Sequence, residues 1–224
     1  MQDFDKYSET YQEELDRCLN VSGYSSDYFA EYKARYLERF LPDDFDGRIL
    51  DYGCGIGLLT AQMARHLPRA RLNGYDVSAV SIAKIGSEIA ARGLFTQDFS
   101  MIGHDYDLIV MSSVLHHIPP GERSKTIEDL AERLSRKGQM VIFEHNPLNP
   151  VTRRIVDRCD FDRDARLLAA SEAAGHLRQA GLNISRRDYM VFFPGRLRWF
   201  RPLERLLGWL PLGGQYAIAG QRDA

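Results

Sequence analysis

From Arg48 onward this chain alternates short apolar runs with longer segments whose apolar residues recur at helical spacing. "RILDYG", "RLNGYD", "LFTQD", "YDLIVMSS" and "GQMVIFEH" read as strands. "GLLTAQMARHL", stopped by Pro68, "SAVSIAKIGSEIAA", capped by Ser78, "ERSKTIEDLAERLS", ending near Gly138, and "SEAAGHLRQAG", capped by Ser171 and stopped by Gly181, read as helices. A strand that is apolar on successive residues needs cover on both faces, and parallel sheets obtain it from the helices that connect their strands. The alternation therefore predicts a doubly wound α/β domain. The tail breaks the rhythm: "ISRRDYMVFFP" and "QYAIAGQR" read as strands with no covering helix of normal register between them, so two closing strands running antiparallel are expected.

A length of 224 residues fits one domain with a substantial core. A formal charge of -2 gives no global attraction to a polyanion, which argues against nucleic acid and for a small molecule or a protein as partner. Cys18, Cys54 and Cys159 have no paired or zinc-type spacing, so reduced thiols and a cytoplasmic setting are expected. "MQDFDKYSETYQEELDRCLN" is polar and acidic, unlike a signal peptide, and no window approaches the roughly 20 apolar residues of a membrane span.

"ILDYGCGIG" places Asp51, Gly53, Gly55 and Gly57 directly after the first strand, where glycines let the backbone approach a ligand closely. The spacing is GxGxG, not the GxGxxG of a dinucleotide fingerprint, and Asp51 would repel a phosphate, so a cofactor with a cationic or zwitterionic group is favoured. Asp76 ends the second strand, positioned either to accept from both hydroxyls of a ribose or to initiate the next helix. Asp98 and Phe99, in "TQDFS", could meet an exocyclic amine and a base; a surface-loop acid is the other reading.

"ILDYGCGIG", "GYDVS", "TQDFS", "YDLIVMSSVLHHI" and "GQMVIFEH" stand in an order and spacing similar to those of class I S-adenosylmethionine-dependent methyltransferases, especially their small-molecule branch, over about residues 45–145. The resemblance implies a Rossmann-like seven-stranded sheet whose last strand is antiparallel. It divides a single 1–224 domain into an N-terminal helical lid (1–44), a core (45–193), an amphipathic insertion between the last two strands (194–213) and a final strand (214–224). It implies S-adenosylmethionine as cofactor and S-adenosylhomocysteine as product. Gly53, Cys54 and Gly55 would line the methionine part, with Asp51 supporting its amino group. Asp76 would hold the ribose, Val77 would pack on the adenine, Asp98 with Phe99 would contact its amine and ring, and Ser112 would face the methyl group.

The sulfonium is already activated, so such an enzyme must chiefly align a nucleophile and exclude water, with a base needed only if the nucleophile carries a proton. His116, His117 and His145 are the candidates at the strand ends, with His145 and His117 as possible bases and packing or backbone bonding as the alternative for each. Glu144 would orient the His145 imidazole or bind a substrate amine. Pro147 and Pro150 are expected to delay the next helix and hold residues 144–150 as a stiff rim. Adjacent His116 and His117 are expected to point apart, so no metal is expected.

Tyr7 and Tyr11, one turn apart on the first of two N-terminal helices, would present their rings to the cofactor as part of the lid, or simply pack. Pro202 would open a helix with Leu203, Leu206, Leu207 and Leu210 on one face, and with Trp199, Trp209 and several arginines nearby. Residues 196–210 thus suit either peripheral contact with a membrane surface or packing on the sheet or on a second copy in a homodimer, and are expected to border the substrate mouth. The expected activity is methyl transfer to a small-molecule acceptor, a hydroxyl of a biosynthetic intermediate such as a sugar, a lipid-linked or a polyketide-like compound. The alternatives are N- or C-methylation, or a non-catalytic, cofactor-binding partner subunit. No "NPPY"-like tetrapeptide follows the fourth strand, which disfavours methylation of a base amine in nucleic acid.

Overall fold

The computed structural model describes residues 11–19 and 22–222. Helices α1 (Tyr11–Leu19) and α2 (Ser26–Glu38) precede β1 (Arg48–Tyr52). There follow α3 (Leu58–His66), β2 (Arg71–Tyr75), α4 (Ala79–Ala83), α5 (Ser87–Ala90), β3 (Phe95–Thr96), β4 (Tyr106–Ser112), α6 (Pro120–Ala131) and β5 (Leu134–His145). The chain closes with α7 (Pro150–Val156), α8 (Ala170–Gln179), β6 (Asn183–Met190), α9 (Glu204–Leu207) and β7 (Gln215–Gln221). One seven-stranded sheet runs β3-β2-β1-β4-β5-β7-β6, with β7 antiparallel to both its neighbours and every other pairing parallel. This is the Rossmann-like α/β arrangement the sequence implies.

The apolar strands are explained by the two cores they separate. Leu50, Ile109, Met111, Ile142 and Ile218 face Ile127 and Leu130 of α6 and Leu177 of α8. Their chain neighbours Ile49, Leu108, Val110, Val141 and Ala217 face Leu37 of α2 and Met63 of α3. Alternate residues of each strand thus enter opposite cores. The strand order reverses at β1, which pairs with β2 on one side and β4 on the other, opening a crevice at the carboxyl ends of β1 and β4.

Four local expectations change. The helix expected over "SAVSIAKIGSEIAA" is two pieces, because Gly86 is extended (φ -56, ψ 141) between α4 and α5. Ser171 lies inside α8, whose N-cap is Ala169. Pro150 opens a helix rather than delaying one: Asn149 accepts from the Val151 and Thr152 amides, and Pro150 takes the first helical position, where a missing N–H costs nothing. Residues 195–203 form a kinked 3-10 helix containing Pro202, followed by the four-residue α9, so Leu203, Leu206, Leu207 and Leu210 do not share one continuous helix face.

Candidate active site

The turn after β1 depends on its glycines. Gly53 (φ 77) and Gly57 (φ 83) hold left-handed backbone, and a Cβ on Gly53 would lie 2.2 Å from Val114 Cγ2. Gly55 (φ 53) faces open space at the crevice, so a side chain there would intrude into it. The Tyr75 carbonyl accepts from the Gly53 and Cys54 amides. The Asp76 carboxylate accepts from the Gly55 amide (2.8 Å) and the Ser78 amide (2.9 Å), tying the end of β2 to the glycine turn. Val77 is half exposed beside it. Asp51 is buried, accepts from Thr60 Oγ1 at 2.6 Å, and is pushed up to about 6 by burial, against the Thr60 hydrogen bond. Burial likewise pushes the Cys54 thiol up.

Asp98 is exposed and accepts from the Ser100 amide and hydroxyl, capping the 3-10 turn Phe99–Met101 and holding its carboxyl below the usual range. Phe99 packs edge-on against Tyr52 and Tyr75 beneath the Arg133 guanidinium.

Across the crevice, β4 ends at Ser112, Ser113 turns with φ 58, and a 3-10 turn carries Leu115–His117. Glu144, fully buried at the end of β5, organises this turn. Its Oε1 accepts from the Val114 (3.1 Å), Leu115 (2.7 Å) and His116 (3.4 Å) amides, and its Oε2 lies 2.5 Å from His116 Nδ1. The expectation that Glu144 orients His145 or binds a substrate amine is therefore corrected: its acceptors are taken up by residues 114–116, and it is sealed from solvent. Burial alone would raise Glu144, but the three neighbouring imidazoles, His116 foremost, together outweigh it and hold the carboxyl down at about 2. Burial opposes charge on His116, yet Glu144 and Asp162 together push it up to about 9. His117 and His145 are lowered to about 4, by burial first and then by the neighbouring His116.

His116 and His117 do not point apart. Their ring centroids are 4.1 Å apart, and both Nε2 atoms turn toward Asp162 Oδ1, at 3.3 and 3.4 Å. Asn146, third in the "EHN" run, acts structurally, because its amide donates to the Pro211 (3.1 Å) and Gly213 (2.7 Å) carbonyls and so pins the approach to β7.

One pocket joins the two sides, lined by Asp51, Gly53, Cys54 and Gly55 on one wall and Ser112, His116, His117, His145 and Asp162 on the other. Leu15 and Leu19 of α1 and Phe29 and Lys33 of α2 close it. Tyr7 and the Tyr11 side chain lie outside the described residues. Sequence reasoning does not single out Lys33. It is buried, its Nζ donates to Ser112 Oγ at 2.8 Å, and burial lowers it to about 8 against the pull of Glu144 and Asp51. Its signal is nonetheless in the sequence: a lysine four residues after Phe29 and four before Leu37, on the apolar face of α2. Asp162 gives no such signal.

No residue of 194–213 lines this pocket, so the insertion does not border it. It braces α2 from behind instead. Glu204 accepts from Tyr32 Oη (2.8 Å) and the Phe192 and Phe193 amides, while Arg201 lies over the Tyr24 and Tyr28 rings.

A family model described as a methyltransferase domain matches residues 24–186. The ribosomal RNA small subunit methyltransferase C of Enterobacter sp. (strain 638) is 32% identical over 120 residues, 51% of this chain and 35% of that protein. The trans-aconitate 2-methyltransferase of Deinococcus radiodurans is 29% identical over 107 residues, 47% of this chain and 41% of that protein. The chain thus matches well under two thirds of either relative's length. The magnesium protoporphyrin IX methyltransferase from Synechocystis PCC 6803, solved with bound S-adenosylhomocysteine, shares the fold at a TM-score of 0.66 and 16% identity, over 98% of this chain and 97% of that one. With ribosomal RNA methyltransferases among these relatives, the expected exclusion of nucleic acid is not supported.

Proposed function

The chain belongs to the class I S-adenosylmethionine-dependent methyltransferases, and from that premise we propose that it transfers the methyl group to a hydroxyl of a small-molecule acceptor. The observation that carries this reading is the pocket that has the glycine turn on one wall and His117 and His145 on the other. The cofactor fits that turn: Gly55 leaves open space, and a buried carboxylate, Asp51, stands beside it. When bound, S-adenosylmethionine supplies an electrophilic methyl group on a sulfonium. Asp76 would accept from the ribose hydroxyls, Val77 would flank the adenine, and Asp98 with Phe99 would meet its amine edge. Gly53, Cys54 and Gly55 would let the methionine part lie against backbone, with Asp51 accepting from its ammonium and Ser112 facing the methyl.

On the opposite wall His145 is the proposed proton acceptor for the hydroxyl, with His117 the alternative. Leu15, Leu19 and Phe29 give the pocket an apolar side, which suits an acceptor with an apolar portion. His145→Gln is expected to lower the single-turnover rate with labelled methyl cofactor about 100-fold, leaving S-adenosylhomocysteine affinity unchanged. If His117→Gln alone produces that loss, the base is His117; if neither does, the histidines only shape the wall. A screen of candidate acceptors with labelled methyl cofactor needs an RNA arm because of the ribosomal RNA relatives, and methylation of RNA in preference to every small molecule would overturn the reading.

A peripheral membrane role rests on separate observations. Trp199, Leu206 and Trp209 are 76%, 70% and 74% exposed, and Arg196, Arg198 and Arg205 are exposed among them. Among the described residues no helix is long and apolar enough to cross a membrane. Apolar side chains ringed by arginine match the chemistry of an anionic lipid surface. The protein is expected to float with vesicles containing phosphatidylserine and to lose that behaviour in Trp199→Ala/Trp209→Ala. Absence of flotation, with dimers seen by light scattering, would assign the patch to a second copy instead.

A further inference from the structure

We propose that His116, His117 and Asp162 form a binding site for a divalent transition-metal cation of the zinc class. The three side chains come from two loops, the turn after β4 and the 3-10 turn Asp160–Asp162 after α7, and their donor atoms all lie within 4.8 Å of one another. Tetrahedral donors at roughly 2.1 Å from an ion stand roughly 3.4 Å apart. His116 Nε2 and His117 Nε2 are 3.3 and 3.4 Å from Asp162 Oδ1.

The second observation is at His116, which is 1% exposed and whose Nε2 meets no partner in good hydrogen-bond geometry, only the Asp162 carboxylate at 3.3 Å. Its other nitrogen is held by Glu144, itself fixed by three backbone amides. A carboxylate that grips one imidazole nitrogen and aims the other is the arrangement that orients histidines at metal centres. Two imidazoles and a carboxylate suit zinc, cobalt or nickel better than magnesium or calcium, which prefer all-oxygen shells. The ligands line the same pocket as Lys33 and His145, so a remaining coordination position would be open to an oxygen of the acceptor.

The site goes beyond the methyl-transfer reading, since it can be tested with neither cofactor nor acceptor. Tag-free protein stripped with a chelator is titrated with Co2+ and followed by visible absorption. The expected result is one equivalent of Co2+ giving the intense d–d bands of a four- or five-coordinate site, displaced by Zn2+. His117→Ala and Asp162→Asn each weaken binding at least about tenfold. Circular dichroism and thermal melting, measured on both variants, show that the fold is intact. Two results would overturn the proposal: an octahedral spectrum no different from free Co2+, or binding unchanged in both variants. A sulfur-to-cobalt charge-transfer band would also overturn this donor set, in favour of Cys159 on the same pocket wall.

Discussion

Asp76→Ala is expected to weaken S-adenosylhomocysteine binding roughly a thousandfold in calorimetry. Two hydrogen bonds from ribose hydroxyls to a carboxylate contribute about 2 kcal/mol each, and about 4 kcal/mol is close to three decades in affinity. The same carboxylate already accepts from the Gly55 and Ser78 amides, so its loss also loosens the turn that would receive the methionine part. Asp98→Ala is the internal comparison. Asp98 is exposed and already bonded to Ser100, so its removal should cost no more than about tenfold, the value of one hydrogen bond. Equal affinity in wild type and Asp76→Ala would remove Asp76 from the cofactor site and leave it as an anchor of the glycine turn.

What can be read from the sequence divides along physical lines. The parallel sheet is legible because residues such as Ile49 and Leu50 enter opposite cores, which forces apolar character on successive positions. The glycine turn is legible because left-handed backbone at Gly53 and Gly57 restricts the residue type within a few positions of a strand end. The partnership of Glu144, His116 and Asp162 is not legible because it is purely tertiary. Separations of 28 and 46 positions leave no period, and only the fold brings the end of β5 and the loop after α7 to the same turn. Pro150 misleads because proline forbids a helix interior yet suits its first turn, and only the Asn149 cap decides between the two. The insertion misleads because a helical wheel drawn through Leu203 to Leu210 assumes continuous helix, whereas α9 has four residues.

Glu144→Ala should lower the unfolding free energy by about 3–5 kcal/mol, the range found when one partner of a buried ion pair is removed. In a domain of this size that is roughly 10 °C in Tm. The mutation strands three backbone amides and the His116 imidazole in a largely buried turn, and it takes a counter-charge from buried Lys33. Glu144→Gln separates hydrogen bonding from charge. Its amide oxygen can still accept from the three N–H groups, but its amino group must meet His116 Nδ1, which therefore loses both its acceptor and its counter-charge. Its stability loss should be about 1–2 kcal/mol. Without the carboxylate that aims it, the ring no longer holds Nε2 toward the metal position, so Co2+ binding should fall in Glu144→Gln while S-adenosylhomocysteine binding persists. A Glu144→Ala protein as stable as wild type in urea denaturation would mean that water reaches the 114–116 turn, and that the buried carboxylate organises the histidines without holding up the fold.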